Sequence, residues 1–159
     1  MKKLLSKKNV SMLIWLTSSV YFVSYLTRIN YSAMLLEIVR TQNVTKAAAS
    51  LALTLNSVTY GAGQLISGFF GDKTKPKTLI FIGIFTAATV NIAIFFFYFI
   101  KLMTVIWAIN GFAQAMLWPP LVRTLTDMLT IDSYKKASVN ISVASSVATI
   151  VIYLISPLF

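Results

Sequence analysis

Arg28 is the residue of this chain best placed to do chemistry. It stands in the apolar stretch YFVSYLTRINYS (residues 21–32), with no charge from Asn9 to Thr27 and apolar sequence resuming from Ala33 toward Val39. A guanidinium stays charged at any working pH, and its planar fork holds a phosphate through two parallel hydrogen bonds. Placing an arginine near the middle of a spanning helix costs about 2.5–3.5 kcal/mol on insertion scales, which a long apolar segment offsets. Tyr21, Tyr25 and Ser32 recur at helical spacing around it, so one face of the helix is polar. The ordinary alternative is a structural arginine paired with a carboxylate or a backbone carbonyl. Glu37, the one acid on the same segment, lies about two and a half turns outward, which favours an anion site.

No other residue set competes. The chain has no histidine and no cysteine, which removes imidazole and thiolate metal sites and Ser-His-Asp catalysis. The acids Glu37, Asp72, Asp127 and Asp132 sit at helix ends or in loops, so no mid-membrane carboxylate serves as a proton relay. There is no phosphate-cradling glycine loop either. No enzyme, cofactor or metal site is expected.

The elements that must position Arg28 are membrane helices. The 159 residues are 57% hydrophobic and 11% charged, with a mean hydropathy of +0.78. The apolar blocks predict an all-α membrane protein with five transmembrane helices, at about residues 11–39, 47–70, 78–100, 102–129 and 137–159. Between them lie polar connections at residues 40–46 and 71–77, a very short turn at Lys101, and a loop at residues 132–136. Pro76 is placed to begin a helix, and Pro119 with Pro120 removes two helical donors, so a bend is expected there. The aromatic run at residues 95–99 reads as a surface facing lipid and the interface. Thr59, Gly63, Ser67 and Gly71 share one helical face, and Ser138, Ser142, Ser145 and Thr149 share another. Both stripes suit close helix packing.

The charge balance, 14 Lys and Arg against 4 Asp and Glu, gives +10. These cations lie in short loops between apolar blocks, which suits orientation in a bilayer and not nucleic-acid binding. Lys2, Lys3, Lys7, Lys8, Lys73, Lys75, Lys77, Lys135 and Lys136 fall on one side, against Arg40, Lys46 and Lys101 on the other. The positive-inside rule puts the N-terminus in the cytoplasm of a multi-pass protein of the cell membrane.

Three stretches carry a resemblance. YLTRINY (residues 25–31) is similar to the first-helix pattern Y-x-x-R-x-N-aromatic of the organophosphate:phosphate antiporter branch of the major facilitator superfamily. GFFGDKTKPK (residues 68–77) resembles the loop between helices two and three in that branch's D-[RK]-x-x-P-[RK] form. NGFAQAMLWPPLVRT (residues 110–124) looks like its fourth-helix pattern NG-x-x-Q-x-x-x-WPP-x-x-R, the most specific of the three. The motifs occur in order and the likeness covers essentially the whole chain.

The resemblance implies most of the N-terminal six-helix half of a transporter that exchanges a small organic anion, a phosphate ester above all, for phosphate. It implies that Arg28 holds the substrate phosphate, with Tyr25, Asn30 and Gln64 as further candidates. A partner arginine would come from a C-terminal half that these residues do not include. It implies a gating latch of Asp72 with Lys73, Lys75 and Lys77, partnered by Arg123 and Asp127, against the ordinary alternative of a solvated basic turn serving orientation. Trp118, Pro119 and Pro120 are further gating or structural candidates. Arg123 lies past the middle of its span, about 10 Å toward the cytoplasmic end, which suits gating better than substrate contact. Ile29 stands where glycerol-3-phosphate carriers have a lysine, and Gln64 where sugar-phosphate carriers tend to have another. Two other readings remain open: a membrane sensor of a sugar phosphate, and an inactive truncated fragment one helix short of a transporter half.

Overall fold

The structure, a computed structural model, describes residues 6–71, 73–97 and 99–156. It is an all-α membrane protein, with no strand among the described residues. The helices are α1 (Lys7–Ala33), α2 (Leu35–Thr41), α3 (Lys46–Gly71), α4 (Pro76–Phe96), α5 (Ile100–Ala115), α6 (Trp118–Met128) and α7 (Ile131–Ile155). By length and composition α1, α4, the α5–α6 path and α7 are long and apolar enough to cross a membrane. Helix α3, with 26 residues, is long enough but carries Asn56, Thr59, Tyr60 and Gln64. Asn56 and Thr59 bond the Trp107 and Ala108 carbonyls of α5, at 2.8 and 2.7 Å.

Local chemistry sets the helix ends. Pro76 opens α4 at a position whose missing N–H would have no helical partner. The expected bend at Pro119-Pro120 appears as a break one turn earlier, between Ala115 and Trp118. A proline ring displaces the carbonyl four residues before it, here those of Ala115 and Met116. The chain tightens there, with Met116 N–H donating to the Ala113 carbonyl and Leu117 N–H to that of Gln114. Both prolines then occupy the first turn of α6, where their lost donors are tolerated. Residues 132–136, expected as a loop, are helical. The Thr130 hydroxyl accepts from the Ser133 N–H and starts α7 at Ile131. The first expected span is interrupted at Met34, although Met34 N–H still bonds Asn30 and Ile38 N–H bonds Met34.

Two apolar clusters close the ends of the helix group. One joins Leu121, Leu125, Leu129, Ala137 and Ile141, with Val10, Leu13, Val20 and Tyr21 packed on it. The other joins Tyr31, Ala52, Met103 and Trp107, with Leu35, Ile38 and Ile94. Between them lies a polar layer built from Ser24, Thr27, Asn56, Thr59, Asn91, Asn110 and Gln114. Large apolar side chains point outward around this group, among them Trp15, Leu65, Phe81, Phe95 and Leu154. Outward apolar surface on this scale suits lipid as the surrounding solvent.

Helix α3 packs along α5, α1 along α7, and α4 along α5. The α3–α5 contact is close because of glycine. A Cβ on Gly63 would sit 2.8 Å from the Ala115 Cβ, and one on Gly111 would sit 2.5 Å from Thr59 Oγ1. Thr59 and Gly63 of the first small-residue stripe thus face α5, as close packing requires. The serine stripe of α7 does not. Its packing edge is Ala137, Ile141 and Ala148, while Ser142 is exposed. The Ser145 and Thr149 hydroxyls bond carbonyls of their own helix, at 2.9 Å each, and need no neighbour.

Candidate functional site: an arginine on an aromatic face

Arg28 sits half-buried in the polar layer, and its guanidinium carbon lies 4.1 Å from the centroid of the Tyr60 ring on α3. Gln64, one turn further along α3, donates from Nε2 to the Tyr60 hydroxyl at 2.8 Å. On α1 the rings of Tyr21 and Tyr25 are 5.5 Å apart, and Tyr21 lies 5.2 Å from Trp118 of α6. Tyr60 thus joins Arg28 to Gln64, and Tyr21 joins Tyr25 to Trp118 on the Arg28 side of α1. Among the described residues no carboxylate lies within ion-pairing distance of Arg28. A stacked guanidinium keeps its edge N–H groups free, and that edge is what a phosphate binds.

Asn30 is not in this group. Two residues beyond Arg28 on a helix of 3.6 residues per turn, it points to the other side. There its Nδ2 donates to Asn91 Oδ1 of α4 at 2.6 Å. Its side-chain amide thus bonds a neighbouring helix and does not join the Tyr60–Gln64 side.

The orientation of α1 rests on side chains whose roles the sequence does not disclose. Gln114 of α5, almost wholly buried, donates from Nε2 to the Ser24 carbonyl at 3.2 Å and to Thr27 Oγ1 at 3.0 Å. Its Oε1 accepts from the Ser24 hydroxyl. Asn110 and Asn91 both donate to the Thr27 carbonyl, at 3.0 and 2.9 Å. Asn110 and Gln114 belong to the NG-x-x-Q run, but their partners are on another helix and half of them are backbone atoms. Tyr60 carries one usable signal, since it stands four residues before Gln64 and hence on the same face.

The gating candidates lie at the end of the molecule where α1 begins. Lys77, Thr124 and Asp127 line a cleft of about 460 Å³ with Asn9, Met12 and Leu13. Arg123 Nε is 3.9 Å from Asp127 Oδ2, in a pair exposed enough to contribute little by itself. Lys73 Nζ lies 4.8 Å from the centroid of the Phe69 ring. Asp72, the centre of the expected latch, lies outside the described residues.

Comparison with known proteins follows the same line. The Major Facilitator Superfamily family model matches residues 17–159. The membrane sensor protein UhpC of Salmonella typhimurium is 29% identical over 120 residues, covering 76% of this chain and 26% of that protein. The glycerol-3-phosphate transporter of Bacillus subtilis is 31% identical over 112 residues, 68% of this chain and 25% of the transporter. A probable hexose phosphate transport protein of Chlamydia trachomatis is 28% identical over 106 residues, 67% and 23% of the two chains. The chain thus spans about a quarter of the length of these relatives. No solved structure matches it significantly.

Proposed function

Because the chain belongs to the major facilitator superfamily, we propose that it forms the N-terminal part of an alternating-access transporter that exchanges an organic phosphate, or a related organic anion, for phosphate. The observation that carries this reading is Arg28, a permanent cation in the mid-depth polar layer with no described carboxylate beside it. An intramembrane charge without an acid partner is best explained by an anion that comes and goes. Tyr60 holds one face of the guanidinium, and the free edge grips two phosphate oxygens. Tyr25 and Gln64 add hydroxyl and amide groups around the ester. A facing half of the protein supplies the opposite wall and a second cation, and rocking of the two halves exposes the site to each side in turn. The N-terminus lies in the cytoplasm, and the Lys77–Asp127 end is where the inner gate closes. The described helices hold no mid-membrane acid, which favours exchange of one anion for another over proton coupling.

Proteoliposomes carrying the full-length gene product test this. Labelled phosphate should enter rapidly when the lumen holds inorganic phosphate or a phosphate ester, and slowly when it is empty. Uptake that ignores the internal anion would overturn the exchange reading. The relatives named membrane sensor proteins support a second reading, in which the site binds a sugar phosphate and signals. Saturable binding with no flux at any internal anion would select it.

A further inference from the structure

We propose that Asn91, Asn110 and Gln114 act as positioning residues that fix the rotation of α1, and so aim Arg28 at the open face without touching the anion. The proposal deepens the anion-site reading and rests on it. Lipid tails are as apolar as leucine side chains, so no hydrophobic force selects which side of a membrane helix faces its neighbours. Rotation must be set by shape and by polar bonds. Helix α1 packs along α7 and, through Val10, Leu13, Val20 and Tyr21, on the Leu121–Ile141 cluster, and polar bonds to α4 and α5 add to that shape fit.

Five of the side-chain bonds that tie α1 to other helices fall on Ser24 and Thr27. The Tyr31 hydroxyl to the Ala49 carbonyl, Ser32 with Tyr153, and the Ser156 hydroxyl to the Ala33 carbonyl hold its far end. Gln114 engages Ser24 twice and Thr27 once, and the Thr27 carbonyl accepts from both Asn110 and Asn91. Asn30, just beyond, is tied to Asn91 as well. Successive helical residues are turned by about 100°, so Ser24, Thr27 and Asn30 form an arc beside Arg28 and opposite the side of Tyr25. Pinning that arc to α4 and α5 leaves Arg28 and Tyr25 only one direction to face.

Asn110 separates this role from plain structural support. It is fully buried, yet its Oδ1 has no hydrogen-bond partner among the described residues. Replacing a half-satisfied buried amide by an apolar side chain of similar size returns its desolvation penalty, so Asn110→Leu should fold about as well as the parent. The Thr27 carbonyl would keep its bond from Asn91. What Asn110→Leu loses is one of the bonds that set rotation.

The experiment uses the full-length gene product bearing Tyr25→Cys, with Ser133→Cys at the start of α7 as a control that rotation of α1 does not move. The 159 residues contain no cysteine of their own. A water-soluble maleimide is applied to membranes, and labelling needs no transport. In the Asn110→Leu and Gln114→Leu backgrounds, labelling of the Tyr25→Cys thiol should slow at least fivefold while Ser133→Cys labelling changes less than twofold. Unchanged Tyr25→Cys labelling in both backgrounds would overturn the proposal, even if the protein transports nothing. In proteoliposomes with inorganic phosphate as the probe, Asn110→Leu should raise KM about tenfold and leave kcat within twofold. An unchanged KM, or an equal fall in kcat with KM constant, would overturn it too. A parent protein that labels as expected but exchanges no phosphate would count against the transport reading and leave the rotational clamp standing.

Discussion

Removing the Tyr60 ring should weaken anion binding by a calculable amount. The Arg28 guanidinium carbon lies 4.1 Å from the ring centroid, well within the roughly 6 Å reach of a cation–π contact. Such contacts contribute about 0.5–1 kcal/mol at exposed sites and about 2 kcal/mol when desolvated. Both residues are half-buried, so the ring holds the guanidinium in place by about 1–2 kcal/mol. Re-orienting a freed guanidinium on binding lowers affinity by up to roughly fivefold to thirtyfold. Tyr60→Leu should raise the phosphate Kd by that factor. Tyr60→Phe keeps the ring and removes only the hydroxyl that accepts from Gln64 at 2.8 Å, so its effect should stay within about fivefold. Equilibrium binding of labelled phosphate to the purified full-length protein reads both variants, with Leu65→Ala on the exposed side of the same helix as a control. Tyr60→Leu binding phosphate within twofold of the parent would refute the stacked geometry. Tyr60→Phe failing as badly as Tyr60→Leu would shift the weight from the ring to the hydroxyl.

Other outcomes follow from packing, capping and orientation. Gly111→Ala and Gly63→Ala force a Cβ into Thr59 and Ala115, so each should cost about 1–3 kcal/mol and lower the detergent Tm, while Gly61→Ala and Gly68→Ala, with open space at Cβ, should not. Thr130→Ala removes the N-cap of α7 and should cost about 1 kcal/mol, seen as faster amide exchange in the first turn after Ile131. For topology, a cysteine at Ser133 should label only after cells are permeabilised, and one at Gln42 should label in intact cells. The reverse pattern would invert the proposed orientation.

Much of this architecture is legible in the residues because membrane helices obey a simple rule. Uninterrupted apolar stretches between short charged loops mark the helical paths, and a lone arginine inside one marks itself. Pro76 and Pro119-Pro120 announce a helix start and a break for covalent reasons. The break at Met34 has no proline or glycine to signal it. Helix rotation is less legible than helix position. Asn30 shares a motif with Arg28, yet it faces Asn91, and only the relative placement of α1 and α4 reveals that. Tyr60 reaches Arg28 from α3, whose packing along α5 sets where it points, and hydropathy does not encode that. Asn110 and Gln114 are visible as a motif, but motif spacing says nothing about backbone partners on another helix. The serine face of α7 reads as a packing stripe, whereas the Ser145 and Thr149 hydroxyls bond their own helix and Ala137, Ile141 and Ala148 form the buried edge.

The central claim is that Arg28 holds the anion, and phosphate binding by Arg28→Lys tests it most directly. Lysine keeps the charge but lacks the planar fork, so one charge-assisted hydrogen bond of about 1.5–3 kcal/mol is lost. Isothermal titration of the full-length protein with inorganic phosphate should show affinity reduced roughly tenfold to a hundredfold in Arg28→Lys, and no binding in Arg28→Ala. Phosphate bound with parental affinity by both variants would contradict the account.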